Sequence, residues 1–503
     1  MRNMYYVDMH CHPSIKPYSW YISDRNNPWD CRNVKKSLWY DDPPNESDRA
    51  INRHIGLTKF TQSDFRTLTK GDVRIISACL SPIERGLFVP HGILRRFGLC
   101  LLRFGLELTE EYIRQVRARN RNYFEELRDE HEYFINEERI QNNRVFPTQF
   151  ELISRFNEIE TNRECIDTDR IYVFFSIEGC HVFNNGGLQN QFDETIVREN
   201  IREVKSWDHP PLYVSMAHHI YNDLCGHERS LPPLLHILIN QTHGMGEGFT
   251  SLGRFVLDEL LSTENGRRIF IDIKHMSVQS RKEYYARLDV IRAEENNNEI
   301  EEGRKPIPVL ASHGAVNGLE SFDNLRQNCH SLNEDIYQND LNFNTEPINF
   351  FDEEIIRMEE TKGFLGIQLD ERRLCSKGQR RLNKKIKERG KQLYHQAGLV
   401  WKQIRYIAEL LDRNRKFGWG TATIGSDHDG GVNPPNGYWT SADLGILEEN
   451  LIHHAVIYFN NHLNQINIVQ QNQFPGLSVD QKAREVIDLF MRRNALRFLS
   501  DFL

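Results

Sequence analysis

Eight short apolar runs, rich in β-branched and aromatic residues and bounded by turn signals, recur along the chain. They are residues 5–12 (YYVDMHCH), 72–80 (DVRIISACL), 171–179 (IYVFFSIEG), 211–219 (PLYVSMAHH), 268–276 (RIFIDIKHM), 307–315 (IPVLASHGA), 363–370 (GFLGIQLD) and 421–431 (TATIGSDHDGG). Between the later runs the apolar period changes to that of helices, over 249–261, 282–294, 352–361 and 399–414. Strands alternating with helices predict parallel pairing through right-handed crossovers. Eight such units predict a (β/α)8 TIM-type barrel with helical and loop insertions, with an open doubly wound sheet as the alternative. The barrel is assigned to residues 1–440, with insertions at about 13–69 and 85–165. Residues 441–503 form a C-terminal helical extension, whose last segment (479–503) is an amphipathic helix packed on the barrel or on a partner subunit. The charges of residues 93–140 fit a solvated helix face.

The polar positions within the eight runs are not evenly spread. Most runs begin apolar and end in His, Glu or Asp: His10 and His12, Glu178, His218 and His219, His275, His313, and Asp427 and Asp429. Side chains at i and i+2 of a strand share a face, so His10 and His12 converge while Cys11 turns away. Any one of these residues alone is best read as a satisfied polar group at a strand-to-loop junction. Together they crowd ionisable groups around the C-terminal mouth of a barrel, where active sites sit, and such burial needs compensation. One or two divalent cations would supply it. Imidazole and carboxylate without thiolate is a catalytic zinc-type donor set. His10, His12, His275 and His313 each offer one nitrogen, and Glu178 can bridge two ions and so lower the pKa of a shared water. Asp427, on the last strand, is placed to take that water's proton. Asp427 and Asp429 share a strand parity, with Asp429 nearer the rim and the substrate.

These motifs, HxH on the first strand, SIEG on the third, KHMS on the fifth, ASHG on the sixth and GSDHDGG on the eighth, resemble the renal (membrane) dipeptidase family, peptidase family M19 of the amidohydrolase superfamily. MAHHIYND, GFTSLGRFVLDEL and NFFDEEIIRMEETKGFLGIQL resemble further segments of that family, and the resemblance covers most of residues 5–20, 70–85 and 170–435. It implies that His10, His12 and Glu178 hold one metal ion and Glu178, His275 and His313 a second, both zinc. It implies that His218 polarises the substrate carbonyl, that Asp427 is the acid/base carboxylate, and that His218, Asn222 and Asp429 meet substrate. The implied activity is cleavage of an amide bond in a dipeptide-like substrate by attack of metal-activated water. A metal-dependent esterase, lactonase or phosphoesterase, and a non-catalytic barrel scaffold, are the alternatives. Two positions depart from the family: His12 stands where it has Asp, and Ile348 where it has a carboxylate-binding Arg, for which Arg326 is a candidate replacement.

Composition narrows the partners. The net charge of −8 leaves no basic excess for nucleic acid. Nine scattered cysteines with no CxxC argue against a disulfide framework and for a reducing, cytoplasmic setting. No apolar run is long enough to span a membrane. The expected partners are therefore a small-molecule or dipeptide substrate and a second copy in a homodimer.

Overall fold

The computed structural model describes residues 5–23, 34–55, 58–89, 103, 107–118, 122–141, 148–159, 161–162, 165–166, 169–184, 193–231, 235, 239–297, 305–324, 342–461 and 464–503. Eight parallel strands form the expected barrel: β1 (Tyr6–Cys11), β2 (Val73–Leu80), β3 (Arg170–Glu178), β4 (Tyr213–Ser215), β5 (Phe270–Asp272), β6 (Leu310–Gly314), β7 (Phe364–Ile367) and β8 (Ala422–Ile424). The ring closes just past β8, where Asp427 N donates to His10 O and His12 N donates to His428 O, both at 2.9 Å. The doubly wound alternative is thereby excluded. The helices read from the apolar period are present as Ser251–Leu261, Val278–Asn297, Asp352–Glu360 and Arg389–Arg413. Thr250 starts the first of them, its hydroxyl accepting from Gly253 N at 2.9 Å. An additional short strand, Gln149–Leu152, pairs with the first half of β3. It covers the part of that edge that β4 leaves open, since β4 pairs only at Ile177 and Glu178.

Beneath the C-terminal mouth, the barrel interior is a set of hydroxyls and carboxylates that ties strands together. Asp8 accepts from Ser426 N (2.9 Å) and Ser426 Oγ, fastening β1 to the segment after β8. Ser77 and Ser176 join β2 to β3 at 2.8 Å. Asp272 accepts from Ser215 Oγ (2.9 Å), Ser312 N (3.1 Å), Ser312 Oγ and Lys274 N (3.0 Å), and so joins β4, β5 and β6. Strand alternation explains their place. Asp8 is two residues before His10, and Ser176 two before Glu178, so the tying residues stack directly under the polar strand ends.

The far mouth is closed by the C-terminal extension. Asn494 Nδ2 donates to Trp419 O and Ala422 O at the start of β8, at 2.8 and 2.7 Å. Phe498 packs edge-on against Phe364, and Phe502 against Phe270, at the starts of β7 and β5. The amphipathic stretch therefore buries its apolar stripe on its own barrel. It runs without interruption through a π-helical turn at Leu489–Arg493.

The charges of the 93–140 segment mostly face solvent among the described residues, Glu125, Arg128, Glu132 and Arg139 of the helix Tyr123–Gln141 among them, but three acids of that helix, Glu126, Glu130 and Glu137, are buried. Glu130 accepts from Ser14 Oγ (2.6 Å) and Ser81 N (2.9 Å), and Glu137 accepts from Ser37 Oγ (2.8 Å) and Leu38 N (3.2 Å). The insertion after β1 packs against this helix and brings Ser14, Ser37 and Leu38 as donors, while Ser81, just past β2, adds a backbone N–H that needs an acceptor. No helix among the described residues is long and apolar enough to cross a membrane.

Asp272 is fully buried and serves four donors, so Asp272→Ala strands them without acceptors. We expect a loss of roughly 3 kcal/mol of stability, given about 1–3 kcal/mol per orphaned buried group. Urea denaturation measures it, and a loss under about 1 kcal/mol would show that the interior network does not hold the strands.

Candidate metal centre

Glu178, the last residue of β3, lies at the centre of the C-terminal mouth, 3% exposed. Its Oε1 is 3.1 Å from His275 Nε2, 3.5 Å from His313 Nε2 and 3.9 Å from His10 Nε2. Its Oε2 is 3.2 Å from His12 Nε2 and 3.4 Å from His218 Nε2. His10 and His12 converge as alternation requires, their Nε2 atoms 3.1 Å apart. Asp427 joins from the β8 side, 3.3 Å from His12 Nε2 and 3.9 Å from both His10 and His313. The sequence-derived ligand residues, together with His218 and Asp427, thus meet around one carboxylate.

Backbone conformation aims several of these groups. Gly179, with φ of 98°, turns the chain immediately after Glu178. His275 and Asp427 themselves lie in the left-handed region, at φ of 66° and 59°, a strain of the kind stored at functional sites. Gly430 is required by close approach: a Cβ there would lie 2.0 Å from Asp427 Oδ1.

Burial and charge divide the imidazoles. Burial pushes His10 down to about 4 and His275 to about 3, and burial together with the neighbouring His10 holds His313 well below its ordinary value. These three are neutral near pH 7 and can present a lone pair. Burial also disfavours charge on His12, but hydrogen bonds to Asp427 and Glu178 override it and raise the imidazole to about 10. His218 is raised to about 8, where burial is outweighed by Glu178 and Glu84. Glu178 is held well below the carboxylate range because His218 and the other imidazoles outweigh its burial. The field that keeps a proton on His12 is the field that would hold a cation. The residues fit a metal site: three sets of donor atoms lie within 4.8 Å of one another (His10, His12, Cys79 and Glu178; His10, His313 and Asp427; Glu178, His218 and His275), and Nδ1 of His10, His12 and His275 is buried with no hydrogen bond.

Several participants were not foreseen. Cys79, on the inward face of β2 with Ser77, places a thiol beside the first set, and burial pushes that thiol well above its ordinary value. Nothing in the apolar run around it marks it out. Glu84, beyond β2, has Oε2 2.9 Å from His218 Nδ1 and accepts from Ile220 N at 2.7 Å. Gln368, after β7, donates from Nε2 to Asp427 Oδ2 at 2.6 Å. A pocket opens over the centre, lined by His12, Glu178, His218, His275 and Asp427 together with Lys274, Gln368, Arg372 and Arg373.

Two expected substrate contacts lie elsewhere. Asn222 is spent on its own loop, donating to Met216 O (2.6 Å) and accepting from Leu224 N (3.1 Å). Asp429 does not share a face with Asp427, because β8 ends at Ile424 and both aspartates are left-handed. Its carboxylate accepts from Lys16 Nζ (2.7 Å), Ser63 N (2.8 Å) and Ser63 Oγ (2.7 Å), and neither it nor Asn222 lines the pocket among the described residues. Ile348 is buried away from the pocket, and Arg326 lies outside the described residues.

No family model and no curated protein sequence matches the chain. Solved structures do. A dipeptidase described as a metallopeptidase of family M19 is 12% identical, with a TM-score of 0.52 and 99% of each chain covered. A metallopeptidase from Rhodobacter sphaeroides, liganded with a phosphinate mimic of the dipeptide L-Ala-D-Ala, gives the same identity, coverage and score. What is shared at this identity is the fold, a (β/α)8 barrel like that of these two metallopeptidases.

Proposed function

We propose that this chain is a binuclear metal-dependent hydrolase that cleaves an amide bond in a dipeptide-like substrate. The observation that carries the proposal is the convergence of five imidazole Nε2 atoms within 3.9 Å of the two oxygens of one buried carboxylate, Glu178. Burying so many titratable groups is costly unless cations compensate it. The fold it shares with solved M19 dipeptidases favours the same chemistry.

His10, His12 and Glu178 would hold one divalent ion, and Glu178, His275 and His313 the other, with zinc the ion that suits this donor set. Bound there, the ions supply Lewis acidity and an acidified water. The chain's own residues do the rest. Asp427 takes the proton of the attacking water and delivers it to the leaving amine. Its Oδ2 is held by Gln368, which leaves Oδ1 facing the centre. His218 donates from Nε2 to the carbonyl oxygen of the scissile bond, while Glu84 beside Nδ1 fixes its ring and favours its charged form. His12 in place of a carboxylate leaves one negative charge fewer around the ions than Asp would.

Two outcomes follow. Protein expressed with ample metal should carry close to two divalent ions per chain by elemental analysis, and Glu178→Gln should lose most of both. Less than about one ion in the unaltered protein would refute the binuclear centre. Asp427→Asn keeps the shape of the side chain but cannot take a proton. It should retain metal and melting temperature while kcat on a dipeptide panel falls roughly 10²–10⁴-fold, the scale of a general acid/base. Near-unaltered kcat with full metal would remove Asp427 from the chemistry.

A further inference from the structure

The pocket has one wall whose charge the metal centre does not use. Lys274 follows β5 and is 1% exposed. Its ammonium makes a single hydrogen bond among the described residues, to the neutral amide oxygen Gln368 Oε1, at 3.4 Å. A lysine is almost never buried to this degree without a carboxylate partner. Arg373, also buried, lines the same pocket. It donates to Ser230 O at 2.5 Å and to Glu346 Oε2 at 3.2 Å, a carboxylate that is 60% exposed and so only a modest counter-ion. Arg373 Nε is buried with no hydrogen bond. The two cations repel each other, and the carboxylates that attract the Lys274 ammonium, Asp427, Asp272 and Glu178, make no ion pair with it among the described residues. Arg372 behaves differently. Three hydrogen bonds to Asp370 neutralise it.

The same pocket is lined by the apolar side chains of Ile15, Ile83, Leu87, Leu231 and Leu235, and by Glu178 and Asp427. A ligand held over the centre would therefore meet hydrocarbon as well as the positive charge of Lys274 and Arg373.

We propose that Lys274 and Arg373 form an anion subsite that takes the carboxylate of a substrate whose other end is an apolar side chain. Its role in catalysis rests on the hydrolase proposal above; its role in binding does not. A singly charged carboxylate suits the subsite better than a phosphate, because only one charge, that of Lys274, has no directly paired carboxylate among the described residues, and Gln368 ties the nearby Asp427 carboxylate into the same wall. The carboxylate would accept from the ammonium and from Arg373 Nε–H. Such charge-assisted bonds are each worth roughly 10–100-fold in affinity.

The test uses metal-loaded full-length protein and two pairs of probes. In the first, kcat/KM is compared for leucyl-leucine and its C-terminal amide, leucyl-leucinamide. The free acid should be preferred by about 100-fold or more, and the preference should fall below about 10-fold in Lys274→Met and in Arg373→Gln. Metal content and melting temperature identify a variant that has merely misfolded, and the other variant then decides. In the second pair, calorimetry compares 4-methylpentanoate with 4-methylpentan-1-ol, neither of which can be hydrolysed. Lys274→Met should weaken the acid roughly 10–100-fold more than the alcohol. No hydrolysis of either dipeptide with this binding pattern intact would sink the hydrolase proposal and keep the subsite. Hydrolysis without preference for the free acid, or a preference and acid affinity unmoved in both folded variants, would overturn the subsite. Competition by inorganic phosphate at equal or lower concentration than 4-methylpentanoate would overturn the assignment to carboxylates.

Discussion

The structure turns on one carboxylate. Glu178 is buried at the end of the longest barrel strand, and five imidazoles from four other strand ends point at its two oxygens. In isolation each such contact is ordinary. Collectively they set the charge of the whole mouth: the anion at the centre keeps protons on His12 and His218, while the same burial strips them from His10, His275 and His313. Three neutral imidazoles beside two charged ones, around a single anion, is the charge pattern the proposed metal centre would show with protons standing in part where metal would.

Holding that arrangement is the work of the layer beneath it. Asp8 and Ser176 lie one alternation below His10 and Glu178, and with Ser77 and Asp272 they tie neighbouring strands together. A purely apolar filling would pack the barrel as well, but it would not pin neighbouring strands in register through directed bonds. The terminal helix completes the enclosure from the other side, with Phe498 and Phe502 against the bases of β7 and β5. The polar mouth is thus backed by a directional layer and then by a hydrophobic plug.

Much of this was legible in the sequence because barrels repeat. Each strand announces itself by a short apolar run, and each catalytic-face residue by a polar break at its end, so His10, His12, Glu178, His275, His313 and Asp427 could be named from position alone. Legibility stopped where alternation stops. Past Ile424 the chain enters left-handed conformations, and Asp429, two residues from Asp427, swings to Lys16 and Ser63. Asn222 looked like a pocket residue because it follows β4, yet its amide is consumed by its own loop. Long-range partners left no local trace: Glu84 comes to His218 from 134 positions earlier in the chain, and Cys79 sits in a run that reads as plain core. The buried acids of Tyr123–Gln141 were hidden for the same reason, since their acceptor role depends on an insertion about a hundred residues away.

In the proposed centre Glu178 bridges two cations. Anomalous X-ray diffraction from crystals of the metal-loaded protein, collected on both sides of the zinc absorption edge, tests this at the carboxylate itself. Two peaks are expected flanking the Glu178 carboxylate, one toward His10 and His12 and one toward His275 and His313. A density map with no anomalous peak beside Glu178 in protein shown to be metal-loaded, or with a single peak that Glu178 does not touch, would contradict it.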